Sequence, residues 1–267
     1  MVEFLKVHGA GNDFLLFADP GPSRDWRAEA PRLCARRTGV GADGLVLSTL
    51  VDKDPSPVLE VICINADGSL ATMCGNALRC VAWAAAGAHG FTSMSLVMAG
   101  VRHEATVQDG HVWVTAEAGE VAPGRVEARW QDVRLRFDAV HTGTEHVVAL
   151  VDDVDAVDVE GLGALVRRHP ELAPVGTNVN FVHPVDPHAV RIRTYERGVE
   201  AETLSCGSGA VAAAVVASHH GVVAPGPVTV HNRAGTPLTV SHNPQRPGSY
   251  WVGGPVALSF RGELELP

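Results

Sequence analysis

Cys74 and Cys206 are the residues of this chain with the clearest capacity for chemistry. Each sits at the head of a matched segment, MCGNALRCVAWAAA at 73–86 and SCGSGAVAAAVVA at 205–217, in which glycine and a small polar residue lead into an alanine-rich stretch. Alanine favours helix more than any other residue, so both segments predict a helix with a thiol at its N-terminus. A helix start offers backbone N–H groups without intrahelical partners and the positive end of the macrodipole, which favour a thiolate and hold a carboxylate. Two such thiols suit the inversion of a carbon centre. A thiolate removes a proton from one face, a thiol returns one to the other, and the helix ends favour the negative charge that builds up in between.

The matching extends upstream. GNDFLLF at 11–17 and GTEHVVA at 143–149 both set a glycine and two polar residues before an apolar run, and the step from Asn12 to Cys74 equals that from Thr144 to Cys206, 62 positions. A constant offset of 132 residues implies two similar halves joined within 118–138. The reading is therefore two domains, 1–117 carrying Cys74 and 118–267 carrying Cys206, with the last strands free to cross back to the first half.

The elements that must position the thiols are short β-type runs. They are 14–18, 44–50, 58–64, 93–99, 102–108 and 111–117 in the first half, and 146–151, 179–185, 189–196, 227–232, 237–242 and 249–260 in the second. Two smaller helical pieces, roughly 25–37 and 158–169, occupy equivalent places. The expected fold is α+β: two pseudo-symmetric domains, each a many-stranded, mostly antiparallel sheet wrapped around a central Cys-led helix, with a smaller helix outside.

Composition narrows the class. A chain of 267 residues with 46% hydrophobic content suits two globular cores, and a formal charge of −9 argues against a nucleic-acid partner. No stretch reaches the roughly 20 apolar residues of a membrane span, and the N-terminus lacks a signal peptide's pattern, so a cytoplasmic protein is expected. Five cysteines without a CxxC pair indicate neither a zinc site nor a disulfide framework, and no metal is expected. Cys34, Cys63 and Cys80 read as small buried apolar residues. Only two lysines are present, Lys6 and Lys53, and neither sits in a segment that resembles a pyridoxal pocket, so a reaction without a cofactor is favoured. GVGADG at 39–44 spells a dinucleotide fingerprint, but a helix-like run precedes it and a β-type run follows, the reverse of the order that fingerprint needs.

Four segments, HGAGNDF (8–14), NADGSLATMCGNALRC (65–80), GTNVNF (176–181) and YERGVEAETLSCGSGA (195–210), resemble the signatures of the diaminopimelate epimerase family, and the resemblance runs from about residue 1 to 260. It implies a pyridoxal-independent enzyme that interconverts LL- and meso-diaminopimelate in lysine and cell-wall precursor synthesis, with a small amino-acid substrate and a homodimeric assembly. It implies Cys74 and Cys206 as the acid/base pair, with Gly75, Asn76, Gly207 and Ser208 at the helix starts that hold the reacting carboxylate. By the same resemblance His146 and Glu196 tune the thiols. Asn12, Asn65, Asn178, Glu196 and Arg197 bind substrate, including its distal amino-acid end, for which Arg197 supplies a planar fork.

Read alone, Asn12 is a turn residue, His146 a core or edge histidine and ERG at 196–198 a solvated turn. Position relative to the cysteines is what raises them. Glu145 and Thr144 depart from the family's pattern, standing where many members carry proline and a number carry asparagine, and Ala77 replaces a common glycine after CGN. An extra carboxylate there suits a cationic or imidazole tail. Another cofactor-independent racemase, of histidine for example, is thus the second reading, and a non-catalytic amino-acid binder the third.

Overall fold

The computed structural model describes residues 1–21, 24–53 and 56–265. The chain divides into two units, Met1–Thr115 with Gly253–Pro267, and Ala116–Val252. The first carries strands β1 (Val2–Gly9), β2 (Asn12–Ala18), β3 (Gly44–Asp52), β4 (Val58–Asn65), β5 (Ser93–Met98), β6 (Val101–Gln108) and β7 (His111–Glu117), with helices α1 (Trp26–Cys34) and α2 (Gly75–His89). The second carries β8 (Ala122–Trp130), β9 (Val133–His141), β10 (Glu145–Leu150), β11 (Asn178–Asp186), β12 (Ala189–Glu196), β13 (Ala201–Thr203), β14 (Val228–His231) and β15 (Leu238–His242), with α3 (Val159–Arg167) and α4 (Gly207–His219). Strand β16 (Ser249–Leu264) begins in the second unit and ends in the first.

The two units share a topology. In the first, the strand order is β1-β2-β3-β4-β5-β6-β7-β16, and β16 returns to pair with β1, so the sheet closes. In the second, the order runs β16-β15-β14-β12-β11-β10-β9-β8, with β13 attached to β12. Each unit has two parallel pairs, β2 with β3 and β4 with β5 against β10 with β11 and β12 with β14. Parallel neighbours cannot be joined by a hairpin, so a helix makes each crossover. These are α1, α2, α3 and α4 in turn.

Two of the four helices are enclosed. Helix α2 touches β1 through β6, and α4 touches β9, β10, β11, β12, β14 and β15. Sequence explains how a sheet can wrap so closely. Every residue of α4 from Gly207 to Ala217 is buried, and all are glycine, serine, alanine or valine, so the helix is thin and apolar on all sides. The other two helices lie outside. Helix α1 packs Trp26, Ala30 and Leu33 against Phe4, Phe17 and Leu45, and α3 packs Val159, Leu162 and Val166 against Phe137, Phe181 and Tyr195. Gly163 lets α3 approach, since a Cβ there would stand 2.6 Å from that of Tyr195. Asp25 and Asp158 cap these two helices through side-chain bonds to Ala28 N (3.2 Å) and Gly161 N (2.9 Å).

The stretch 118–138, read as the join between halves, holds β8 and most of β9. Both strands alternate apolar and polar residues, VEARW at 126–130 and LRFDA at 135–139, with the apolar set on the core, so they carry the period of a half-buried strand in place of the dense apolar runs from which other strands were read. Strands β1 and β13 were also not anticipated, and the outer helices are shorter than expected.

The GVGADG segment follows α1 and leads into β3, and its glycines have packing reasons. A Cβ at Gly39 would overlap the Arg32 carbonyl, one at Gly44 would lie 2.5 Å from the Ile64 oxygen, and Gly41 has φ +82°. Among the described residues, no helix is long and apolar enough to cross a membrane.

Candidate active-site residues

In the first unit, β1 turns into β2 through Ala10 (φ 53°) and Gly11 (φ 86°), a two-residue hairpin with both central residues left-handed, as a type I′ turn demands. The turn delivers Asn12 to the start of α2. Cys74 is the N-cap residue of that helix, extended at φ −146°, and its side chain makes no capping bond. Geometry therefore leaves the first N–H groups of α2, beginning with Gly75 and Asn76, outside the intrahelical ladder.

The orientation of Asn12 is fixed by its neighbours. Its amide nitrogen donates to Asp43 (2.7 Å), so its oxygen is the acceptor, taking a bond from Asn76 Nδ2 (3.2 Å) and facing Cys74 Sγ at 3.9 Å. Asp43 is braced in turn by Arg36 (2.6 Å). Beneath the helix start lies Arg79, wholly buried, donating to Asn76 Oδ1 at 2.5 Å. Burial pushes the Arg79 pKa down, and the thiols of Cys80 and Cys74 oppose that shift. The residue at the equivalent place in the second unit is Val211, so this cation has no counterpart there.

The other cysteines of this unit are buried. Burial pushes the Cys34 thiol up to about 11 and Cys80 up to about 12. Cys63 is more than a small apolar residue: a hydrogen bond with Cys74, together with burial, raises its pKa well above the ordinary thiol value. Asn65, expected near substrate, is exposed at the end of β4 and donates to Ser69 Oγ (2.9 Å). Lys6 is buried, paired with Asp13 (2.5 Å) and hydrogen-bonded to the Gly41 carbonyl. Lys53 is exposed.

In the second unit Cys206 is the N-cap residue of α4. Its sulfur accepts the Gly209 N–H (3.3 Å) and lies 3.4 Å from Ser208 Oγ. A hydrogen-bond chain settles the direction of the second contact. Asn180 accepts from Thr194 Oγ1 (3.0 Å) at its oxygen, so its nitrogen is the donor, to the Val147 carbonyl and to His146 Nδ1 (both 3.0 Å). His146 is buried, and burial drops its pKa to about 3, so the ring is neutral. The Asn180 amide lies nearer to Nδ1 (3.0 Å) than the Asn178 amide does to Nε2 (3.4 Å), so Nδ1 is assigned as the acceptor and the proton to Nε2, which donates to Ser208 Oγ (3.0 Å). Ser208 then has its own proton free to point at Cys206. Gly209 is fixed by the same packing, because a Cβ there would meet Asn180 Oδ1 at 2.7 Å.

Asn178, buried on β11, braces two neighbours at once: its nitrogen donates to the Glu145 carbonyl (3.1 Å) and its oxygen accepts the Arg197 N–H (2.9 Å). The Arg197 guanidinium donates to Glu145 Oε2 (2.8 Å) and Thr144 Oγ1 (2.9 Å). Glu196 accepts from Thr203 Oγ1 (2.5 Å). Sequence reasoning named Asn178 but passed over Asn180. The available signal was the two-residue spacing in NVN, which puts both amides on one face of a strand. Asp43 and Arg79 were passed over too, because their partners are set by tertiary packing. Among the described residues, no group of three His, Cys, Asp or Glu side chains is placed to hold a metal ion.

The sequence model of the family described as diaminopimelate epimerase matches residues 4–123 and 138–258. Proteins named diaminopimelate epimerase from Aquifex aeolicus and Methanocella arvoryzae are each 36% identical to this chain, covering 98% of it and 98% of the first relative, and 99% of it and 97% of the second. Among solved structures, a predicted epimerase from Pseudomonas aeruginosa aligns over the whole of both chains with a TM-score of 0.74 at 16% identity. A probable proline racemase from Agrobacterium radiobacter aligns over 100% of this chain and 94% of its own with a TM-score of 0.70 at 18% identity. These two likenesses concern the fold alone. The sequence match takes in both Cys-capped helices and nearly the full length, and on it the chain belongs to the diaminopimelate epimerase family.

Proposed function

We propose that this protein is an isomerase that interconverts LL- and meso-diaminopimelate by inverting one α-carbon without a prosthetic group, in lysine and cell-wall precursor synthesis in the cytoplasm. The observation that carries this reading is the full-length family match through two helices that are each capped by a cysteine. In the mechanism, one cysteine acts as thiolate and takes the α-proton to become a thiol. The other, a thiol, delivers its proton to the opposite face and is left as the thiolate, so the reverse reaction exchanges the roles. The helix-start N–H groups of Gly75, Asn76, Gly207 and Ser208 hold the reacting carboxylate, whose charge grows as the proton leaves. Asn12 and Asn76 orient the first thiol, and His146 acts on Cys206 through Ser208. Glu196, Arg197, Asn178 and Asn65 serve the substrate's remaining polar groups.

The test is incubation of the reduced protein in D₂O with LL-diaminopimelate, and in parallel with histidine, following α-deuteration and chirality together. Deuterium entering diaminopimelate with inversion at one centre is expected. Label in histidine alone moves the substrate and supports the second reading. No label in any amino acid sinks the enzymatic reading.

Two variants probe the assigned roles. Ser208→Ala removes the hydroxyl donor to Cys206, and is expected to slow iodoacetamide alkylation of Cys206 by about fivefold while leaving Cys74 unaffected; peptide mass spectrometry reads each site, and equal rates in both proteins would remove Ser208 from the relay. Arg197→Ala is expected to raise KM for diaminopimelate by about a hundredfold, more than it lowers kcat, through loss of a charge-assisted carboxylate contact.

A further inference from the structure

We propose that Glu145 and Arg197 together form a receptor for a zwitterionic amino-acid terminus, Arg197 taking the carboxylate and Glu145 the ammonium, which makes Glu145 a specificity-determining residue. This rests on the diaminopimelate reading above and adds to it a residue to which that reading gives no role.

The guanidinium of Arg197 is already occupied. Nη1 donates to the Glu145 carboxylate at 2.8 Å and Nη2 to the Thr144 hydroxyl at 2.9 Å. The backbones of both charged residues are held by one buried side chain, the amide of Asn178. Glu145 is also fixed at the first position of β10 by its pairing with His141. The scaffold is thus rigid and only side-chain torsions need change. The pair itself is open to solvent, with side-chain exposures of 25% for Arg197 and 44% for Glu145. An ion pair at that exposure contributes little to stability and separates at small cost.

Charge balance then decides what enters. A free amino-acid end carries a carboxylate and an ammonium on one carbon, so its two charges are spaced for two head groups that lie at hydrogen-bond distance. Inserting it replaces one ion pair by two, and every charge keeps a partner. A ligand end with a carboxylate alone claims Arg197 and leaves Glu145 without its cation beside a second negative charge. An end with only an amine claims Glu145 and strips Arg197. The pair therefore rejects half-matched ends by the charge they leave over.

The experiment compares wild type with Glu145→Gln on two substrates, LL-diaminopimelate and L-2-aminopimelate, the second keeping the distal carboxylate but lacking the distal ammonium. Glu145→Gln is expected to raise KM for diaminopimelate about tenfold and to lower KM for aminopimelate, because no unpaired carboxylate is then left beside that substrate, so that wild-type discrimination shrinks by more than about tenfold. Glu145→Asp keeps the charge and is expected to retain most of that discrimination. A lower KM for diaminopimelate in Glu145→Gln would show a carboxylate that merely blocks Arg197. An equal rise for both substrates would show one that only braces it. Either result overturns the inference, as does no change. Wild type that fails to exchange the α-proton of diaminopimelate defeats the underlying reading instead, whereas active wild type with unmoved discrimination defeats this inference alone.

Discussion

Cys206→Ala and Cys74→Ala are each expected to lose inversion of diaminopimelate by at least about a thousandfold, the upper part of the range for a positioned general acid or base. The loss should be selective. Each variant keeps one thiol, and that thiol can still remove and return a proton on its own face. One variant should therefore exchange the α-proton of one stereoisomer with solvent, the other variant that of the opposite stereoisomer, and neither should convert one into the other. Proton NMR in D₂O with chiral chromatography separates the two events. Retention of substantial inversion by either variant rules out the two-base mechanism. Cys63 is no substitute for Cys74, because its burial, which remains in the Cys74→Ala variant, holds it in the thiol form.

The largest effect on stability is expected at Asp13, well away from the reacting carbon in function but only one residue from Asn12. Its carboxylate pairs with Lys6 (2.5 Å) and Arg36 (2.8 Å), with the Lys6 side chain only 9% exposed. Burial by itself would raise the Asp13 pKa, but the hydrogen bonds from Arg36 and Lys6 outweigh it and hold the group at about 2 against an ordinary 3.8. A folded-state value below the unfolded one means that Asp13 stabilises the fold fully above pH 3.8 and loses that contribution as the pH falls toward 2. Asp13→Asn leaves the Lys6 ammonium buried without its anion and is expected to cost about 3 kcal/mol. Denaturant unfolding at pH 7 measures the loss, and repeating it between pH 4 and 2 should show a gap that narrows with acid. A gap that stays constant over that range would place the effect in packing. Lys6→Met combined with Asp13→Leu should recover much of the loss, since an apolar pair carries no unpaired charge.

The parts of this molecule legible in the sequence are those fixed by local chemistry. Both enclosed helices were found because a capping cysteine, small polar residues and an alanine run coincide in each. The internal duplication was found from the spacing of Asn12, Thr144 and the two cysteines, and the shared topology of the two units agrees with it. Dense β-branched runs such as VLEVICI became strands. Strands β8 and β9 were missed because they alternate apolar and polar residues instead of forming dense apolar runs, although that alternation is itself the signal of a half-buried strand. The closing of the first sheet by β16 could be allowed for but not located, since strand pairing across a whole chain leaves no local mark.

Around the thiols the division is similar. Asn12 beside Cys74, and His146 one residue removed from Cys206 through Ser208, follow from the positions that the spacing singled out. Asn180, Asp43 and Arg79 work through partners 14 to 34 residues away, or through burial that no short window reveals. Asn65 was raised by the family resemblance alone, and its amide nitrogen donates to Ser69 in its own turn.

Strand β16 has a consequence for how the protein comes into being. Val2 pairs with Leu264 and Gly9 with Val256, so β1 waits for a strand made much later in the chain. The N-terminal unit cannot complete its sheet until β16 has been made, and β1 keeps one edge unpaired until then, a vulnerable state for a nascent chain. The other unit lies in one continuous stretch, Ala116–Val252, and carries no such debt. Vectorial synthesis should therefore favour the opposite order to the one in which the residues are read: the later unit matures first, and the earlier one is sealed by the carboxyl-terminal strand.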